Sequence, residues 1–269
     1  MKIYAIRNAE LNKHKDLGYF FYFEKINEYY IELVEQIDEW DLPFVLDSYV
    51  RRSQWTIGMD DTRLFISQRI VPQDRQNIGM VLKDNGLEDY DEAKLFVLSD
   101  GRCAQDECYI KQISEEEVDE SVRRRRERRL LSLYRTTDHQ YLVSFVNGKT
   151  ALFDVYRLKE QDAFVRRMLA YYDLFSEAMT RCVGAEMTFG NGTGLTYDIV
   201  YHYAKEMPFT VEQLCSFSNA TIMSTQEITE QLNCSRQNIN DSVKRGRITP
   251  LDTNTREQFF LKSEVYKLM

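Results

Sequence analysis

The sequence predicts an α+β, multidomain protein, and three observations carry that reading. Runs rich in aromatic and β-branched residues open the chain, and apolar residues then recur at helical spacing. A later segment alternates with period two around an Asn-Gly pair. The expected division is an acidic α+β domain over residues 1–112, a charged linker helix over 113–129, a small βα module over 130–206, and a C-terminal domain over 207–269 that contains two short helices.

Within the first domain, residues 3–6 (IYAI), 19–23 (YFFYF) and 28–34 (EYYIELV) read as strands, with Lys25-Ile26-Asn27 as a turn. After Pro43, Phe44, Val45 and Tyr49 repeat at helical spacing. A second helix is expected behind Pro72, because proline fits a first helical turn. It would place Ile78, Val81 and Leu82 on one face and stop at Gly86. A third, EAKLFVLSDG, stops at Gly101. Acidic residues outnumber basic ones here by 21 to 14, in a chain of net charge −8. This domain is therefore the acidic part.

The stretch ISEEEVDESVRRRRERRLL follows. Ser114 and Glu117 have the spacing of a capping box, which marks a helix start. Acids crowd the first turns and bases the last, as the helix dipole favours. Asp119 can reach Arg123, and Glu120 can reach Arg124, at i,i+4. The expectation is a solvated linker helix held by its own ion pairs. The alternative is a secondary phosphate patch made by Arg123, Arg124, Arg125, Arg126, Arg128 and Arg129.

From Leu130, the segments LLSLYRT, QYLVSFV and TALFDVY read as three strands, the last two joined at Asn147-Gly148. A helix over DAFVRRMLAYYDLFSEA, short strands MTRCV and AEMTF, a turn at GNGTGLTYD and a helix from Tyr197 to Glu206 complete the module. In order, "YLVSFVNGKTALFDVYRL", "AFVRRMLAYYDLFSEAMT" and "MTFGNGTGLTYDIVY" resemble the family known as domain of unknown function 2442. Phe189 stands where that family often has Trp, and Thr196-Tyr197 precede Asp198 in place of its usual ending. The resemblance implies a compact βα module of the kind found beside helix-turn-helix domains in regulatory or antitoxin-like operons. It implies no catalytic residue.

Beyond Pro208 and a short helix around VEQLCSF, Ser224-Thr-Gln-Glu227 forms a second capping box. The helix it opens carries Ile228 and Leu232 on one stripe, and Asn233-Cys234 breaks it. Ser235 caps the next helix, which runs from Arg236 to Arg245, turns Ile239 and Val243 inward and ends at Gly246. Its outward positions are Arg236, Gln237, Asn240 and Lys244. Arg can fork onto guanine, and Gln or Asn onto adenine, in a major groove. The helix N-terminus and Ser235 can meet a phosphate. A β-hairpin over ITPLDTNTREQFFLKSEV would be seated by Ile248, Leu251, Phe259 and Leu261, would project Arg247, Arg256 and Lys262, and would lead into a helix from Ser263. Asp241 is an acid near the reading face that could pair with Arg245 at i,i+4.

The segments Cys234-Ser-Arg-Gln-Asn-Ile239, Val243-Lys-Arg-Gly-Arg-Ile248 and Ser263-Glu-Val265 resemble the winged helix-turn-helix domains of the excisionase and MerR-like type. The expected function is thus sequence-specific binding of double-stranded DNA by a bacterial or phage transcriptional regulator or antitoxin-like repressor. One winged domain makes few contacts, so a homodimer on a two-fold site is expected. The alternative is a protein-interaction adaptor whose acidic N-terminal domain binds a basic partner and whose helix-turn-helix is structural.

Other classes find little support. The five scattered cysteines read as reduced thiols in a cytoplasm. Cys103 and Cys108 are too far apart for a zinc half-site and have no second pair. FGNGTG lacks the lysine of a phosphate loop. No secretory or membrane-spanning stretch appears. Asp100-Gly101-Arg102 with Asp106 is a polar cluster that turn chemistry accounts for. The sequence therefore predicts no enzyme, no cofactor and no metal.

Overall fold

Five consecutive aromatic residues, Tyr19 to Phe23, cannot alternate between a wet and a dry face, so the strand that holds them must be covered on both sides. The computed structural model shows this arrangement. It describes residues 1–11, 15–137, 139–158, 166, 178–190, 194–251 and 256–268. The chain divides into two units, Met1–Met207 and Pro208–Met269.

In the first unit, β1 (Lys2–Asn8), β2 (Gly18–Phe23), β3 (Glu28–Leu33), β4 (Thr56–Ile57) and β5 (Cys108–Ile113) form one antiparallel sheet of order β4-β3-β2-β1-β5. Register puts Tyr4 and Ile31 on either side of Phe20. On that face Tyr4, Phe20, Tyr22, Tyr29 and Ile31 pack against helices. These are α1 (Phe44–Arg51), through Leu46, and α2 (Met59–Ser67), through Phe65 and Ile66. After α3 (Ile78–Asp84) comes α4 (Glu92–Leu98), which adds Ala93 and Phe96. Phe96 meets Phe20 edge-on at 5.1 Å. Such a pair adds about 1 kcal/mol beyond the burial of its two rings.

The other face, Ile3, Ala5, Tyr19, Phe21 and Tyr30, packs against residues from Val118 to Val200. These come from α5 (Glu120–Arg126), β6 (Leu130–Thr137), β7 (Gln140–Phe145), β8 (Thr150–Asp154), β10 (Glu186–Thr188), β11 (Gly194–Thr196), α6 (Tyr197–Tyr203) and the segments between them, while β9 (Met179–Arg181) pairs with β10 without adding a buried residue. With β12 (Lys205–Glu206), the strands form sheets of order β12-β8-β7-β6 and β11-β10-β9. The Asn147-Gly148 turn is present, with Gly148 at φ +82°. The expected separation of residues 1–112 from 130–206 is therefore corrected: both stretches build one core.

The 113–129 stretch is corrected with it. The Ser114–Glu117 capping box caps a single 3-10 turn, and α5 starts again at Asp119. The Asp119 carboxylate accepts from Ser121 N at 2.8 Å and does not pair with Arg123, while Glu120 does pair with Arg124. Val122, Arg125 and Arg126 are buried, so α5 is a core helix and not a solvated linker. Local charge pattern could not reveal this, because the buried partners Glu32, Leu33 and Tyr30 lie far away in β3.

Smaller differences have local causes. β4, α2 and β5 were not foreseen; β4 spans only two residues, and α2 buries just Thr62, Phe65 and Ile66. α3 begins at Ile78, later than Pro72, and buries none of its residues, so no core contact extends it. α6 stops at Tyr203 because Ala204 is extended and Lys205–Glu206 pairs with β8. The helix expected over DAFVRRMLAYYDLFSEA lies outside the described residues except at Arg166 and Ala178.

The second unit comprises α7 (Val211–Thr221), β13 (Ile222–Ser224), α8 (Thr225–Leu232), α9 (Arg236–Lys244), β14 (Phe259–Leu261) and α10 (Lys262–Val265). Met223, Ile228, Ile239, Ile248, Phe260 and Val265 are its core. The expected hairpin is corrected. β14 pairs with β13, and among the described residues the segment after Ile248 meets β14 through Leu251 N to Phe259 O at 2.8 Å. That pairing turns Phe260 inward and leaves Phe259 and Leu261 half-buried, the reverse of the expected parity. Among the described residues the architecture is mixed α+β with ten helices and four antiparallel sheets. None of those helices is long and apolar enough to cross a membrane.

Candidate nucleic-acid interface

The α8–α9 pair is fixed by its ends. Ser224 Oγ accepts from Glu227 N at 3.2 Å, and Glu227 Oε2 accepts from Ser224 N at 2.7 Å, so both orphan donors are satisfied. Asn233 takes the left-handed conformation at φ +48°, which stops α8 and redirects the chain. Ser235 Oγ then accepts from Asn238 N at 3.3 Å and starts α9. At the far end Gly246, at φ +67°, donates to Val243 O at 2.9 Å, and Arg247 N donates to Ser242 O at 2.9 Å. This is the Schellman pattern, which only a residue tolerant of positive φ closes without strain. Glu264 Oε2 accepts from Thr249 N at 2.8 Å and ties the segment after α9 to α10.

With Ile239 buried and Val243 half-buried, the rest of α9 is set by helical geometry. Arg236, Asn240 and Lys244 fall on one i,i+4 stripe, with Gln237 beside it, and all four are exposed. Arg245, Arg247 and Arg256 are also exposed. Among the described residues, none of Arg236, Lys244, Arg245, Arg247 and Arg256 has a side-chain hydrogen bond or ion pair. The first unit differs: Arg7, Arg51, Arg63, Arg69, Arg124, Arg125, Arg126 and Arg181 all face carboxylates. Charge is divided in the same way. Residues 208–269 hold seven acidic and seven basic residues, against 36 and 28 in residues 1–207. These five cations of the second unit are thus available to an external anion, and the surplus negative charge lies wholly in the first.

Two expected residues behave differently. Lys262 is half-buried and donates through Nζ to the Asn219 carbonyl at 3.3 Å in the last turn of α7, so it does not project as expected. Asp241 does not pair with Arg245 through its side chain; the link between them is Arg245 N to Asp241 O at 3.0 Å. Arg245 is thereby left as an exposed cation beside the Arg236–Asn240–Lys244 stripe. Sequence reasoning noted only that Arg245 could pair with Asp241 and did not count it among the candidate DNA-binding residues.

The arginine run is not a continuous patch. Arg125 Nε donates to Glu32 Oε2 at 2.9 Å, Nη1 to Glu35 Oε1 at 2.8 Å and Nη2 to the Leu33 carbonyl at 2.6 Å. Glu32 is fully buried and also accepts from Tyr197 OH at 2.9 Å and Thr56 Oγ1 at 3.2 Å. Burial pushes its carboxyl up, against the pull of Arg125. Arg126 donates to Tyr30 OH at 3.0 Å and lies 3.9 Å over the Phe21 ring. Arg128 lies over Tyr201, and Arg129 Nε donates to the Arg126 carbonyl at 2.9 Å. Arg123 and Arg124 are exposed, Arg124 on Glu120. Two of the six are therefore core residues that no phosphate can reach.

The polar cluster near residue 100 is structural. Asp106 takes Arg69 through both oxygens, at 3.0 and 2.5 Å, while Asp100 and Gly101 form a turn at positive φ. All five cysteines are free thiols. Among the described residues, no group of three His, Cys, Asp or Glu side chains could hold a metal ion. No family model, curated protein or solved structure matches the chain.

Proposed function

We propose that residues 208–269 are a winged helix-turn-helix domain that reads double-stranded DNA in a sequence-specific way, and that the protein is a bacterial or phage transcriptional regulator or antitoxin-like repressor. One observation carries this reading: α9 holds an exposed Arg-Gln-Asn-Lys face without internal partners, on a helix fixed at both ends. A surface helix serving only the fold commonly carries i,i+4 acid–base pairs. This one presents instead the side chains that fork onto purine edges. Ser235 still has its hydroxyl proton to donate to a phosphate at the helix N-terminus. Arg245, Arg247 and Arg256 supply backbone contacts around it. The acidic first unit repels phosphates and so limits non-specific coating. A homodimer on a two-fold site would bring two such helices to successive major grooves.

The test is fluorescence anisotropy on DNA from upstream of the protein's own gene, across a salt series, beside a scrambled duplex and an Arg236/Gln237/Asn240 triple-alanine variant. Tight binding that prefers the native duplex and fails in the variant is expected. Weak binding that is equal on both duplexes and indifferent to the variant would refute the proposal. It would favour the second reading, an adaptor whose surplus of acids over residues 1–207 attracts a basic protein.

A further inference from the structure

Glu186 sits in the middle of the three-stranded sheet, on β10, with only 4% of its surface exposed. A carboxyl taken this far from water needs hydrogen bonds. Glu186 has few. Oε2 accepts one long bond from Met59 N at 3.4 Å, and Oε1 accepts none among the described residues. Two glycines make the space around it. A Cβ on Gly58 would stand 2.4 Å from Oε1, and one on Gly194 2.8 Å from Cγ. Neither position has positive φ, so backbone freedom is not the reason for glycine at either.

The carboxyl opens into a cleft of about 310 Å³. Asp60 and Asp61, in the first turn of α2, face the same space, and Tyr49, Leu195 and Ile199 give it an apolar wall. Arg52 also lines the cleft but lies 4.8 Å over the Tyr49 ring. Arg181, on β9, is held by Asp60 at 3.2 Å. Burial pushes the Glu186 carboxyl up to about 7, against the pull of Arg181, and Asp60 and Asp61 add to the rise.

We propose that this cleft binds a small organic cation bearing N–H donors, a primary ammonium or guanidinium on a short apolar body, with the Glu186 carboxylate as its anchor. An N–H cation supplies both things that Oε1 lacks, a hydrogen bond and an opposite charge. With Asp60 paired to Arg181, the Asp61 and Glu186 carboxyls still stand against one stacked arginine and disfavour anions. A quaternary cation brings charge but no donor. The site lies wholly within residues 1–207, so it stands or falls independently of DNA binding.

The experiment is calorimetric titration of the full-length protein with n-butylammonium, tetramethylammonium and butyrate at pH 7, in two buffers of different ionisation enthalpy. Butylammonium is expected to bind at least about tenfold more tightly than tetramethylammonium, and butyrate not at all. Because cation binding ionises Glu186, about half a proton should be released per ligand. Glu186→Gln should abolish the proton release and weaken binding about tenfold or more. Should that variant fail to fold, Asp61→Asn, on an exposed turn, should still lower butylammonium affinity severalfold. Absence of binding, equal binding of butyrate, full affinity in folded Glu186→Gln, or unchanged affinity in Asp61→Asn would each overturn the proposal.

Discussion

Arg125→Met tests whether α5 belongs to the core. The substitution keeps an apolar stem and removes a guanidinium with 5% of its surface exposed. Its bond to Glu35 spans a half-exposed carboxylate and contributes at most about 1 kcal/mol. Its bonds to Glu32 and the Leu33 carbonyl are buried, and their loss strands a carboxylate with no exposure to water. Breaking a buried pair in this way costs about 3–5 kcal/mol. Tyr197 OH and Thr56 Oγ1 still donate to Glu32, which places the expectation near the lower end. The cost depends on pH, because stranded Glu32 escapes by taking a proton. Its folded pKa already lies above the ordinary 4.5, and without Arg125 it rises further. A group whose folded pKa is raised gives stability that is present below its unfolded pKa and lost as pH climbs toward the folded value. The variant should therefore lose about 1.4 kcal/mol per pH unit within that window. Urea denaturation followed by far-UV circular dichroism should show a larger deficit at pH 8 than at pH 5. Glu32→Gln combined with Arg125→Met should recover most of the loss at pH 8. A deficit below about 1 kcal/mol at both pH values would be the behaviour of a solvated arginine and would refute the reasoning.

Arg236→Ala should cost about 1–3 kcal/mol on the preferred duplex and relax the preference at one base position. Equal losses on every duplex would assign Arg236 to phosphate alone. Arg247→Ala and Arg256→Ala should each flatten the salt dependence of binding by roughly one unit of slope. Lys262→Ala should leave that slope unchanged, because its ammonium is held by Asn219; a lower slope in Lys262→Ala, or an unchanged one in the arginine variants, would reverse these assignments. Gly246→Ala should lower stability by about 1–2 kcal/mol, since a Cβ there meets no atom within 4 Å but is forced into φ +67°. An unshifted denaturation midpoint would show that the left-handed turn is not needed.

Local signals were legible in the sequence, and long-range pairings were not. The capping boxes at Ser114 and Ser224, the N-cap at Ser235 and the glycine stops at Gly86, Gly101 and Gly246 involve groups a few residues apart, and each is where the chain pattern indicates. The strands β1, β2 and β3 declare themselves by composition. By contrast, the partners of Arg125 stand more than ninety residues upstream, so a run of arginines looked like a solvated face. The two-sided burial of β2 was written in its five aromatics, but nothing local says what covers the second side. At the candidate interface, the α9 face could be read because each helix end carries its own code. β14 was given the wrong strand partner because two candidates flank it and only the assembled core chooses between them. Glu186 gave no signal, since a lone glutamate in AEMTF shows neither its depth nor its two glycines.

The shared core on the second face of the β1–β3 sheet also constrains how such a chain can be inherited. A recombination crossover between residues 113 and 129 would hand one descendant Tyr19, Phe21 and Tyr30, and the other Tyr141, Val143 and Phe153, each with half of an apolar wall facing water. Both products would tend to aggregate, and selection would remove them. A crossover at Met207/Pro208 severs no core. Chimeras that exchange the C-terminal segment there would keep both cores whole, so this junction is where lineages could trade one C-terminal unit for another while residues 1–207 descend as a block.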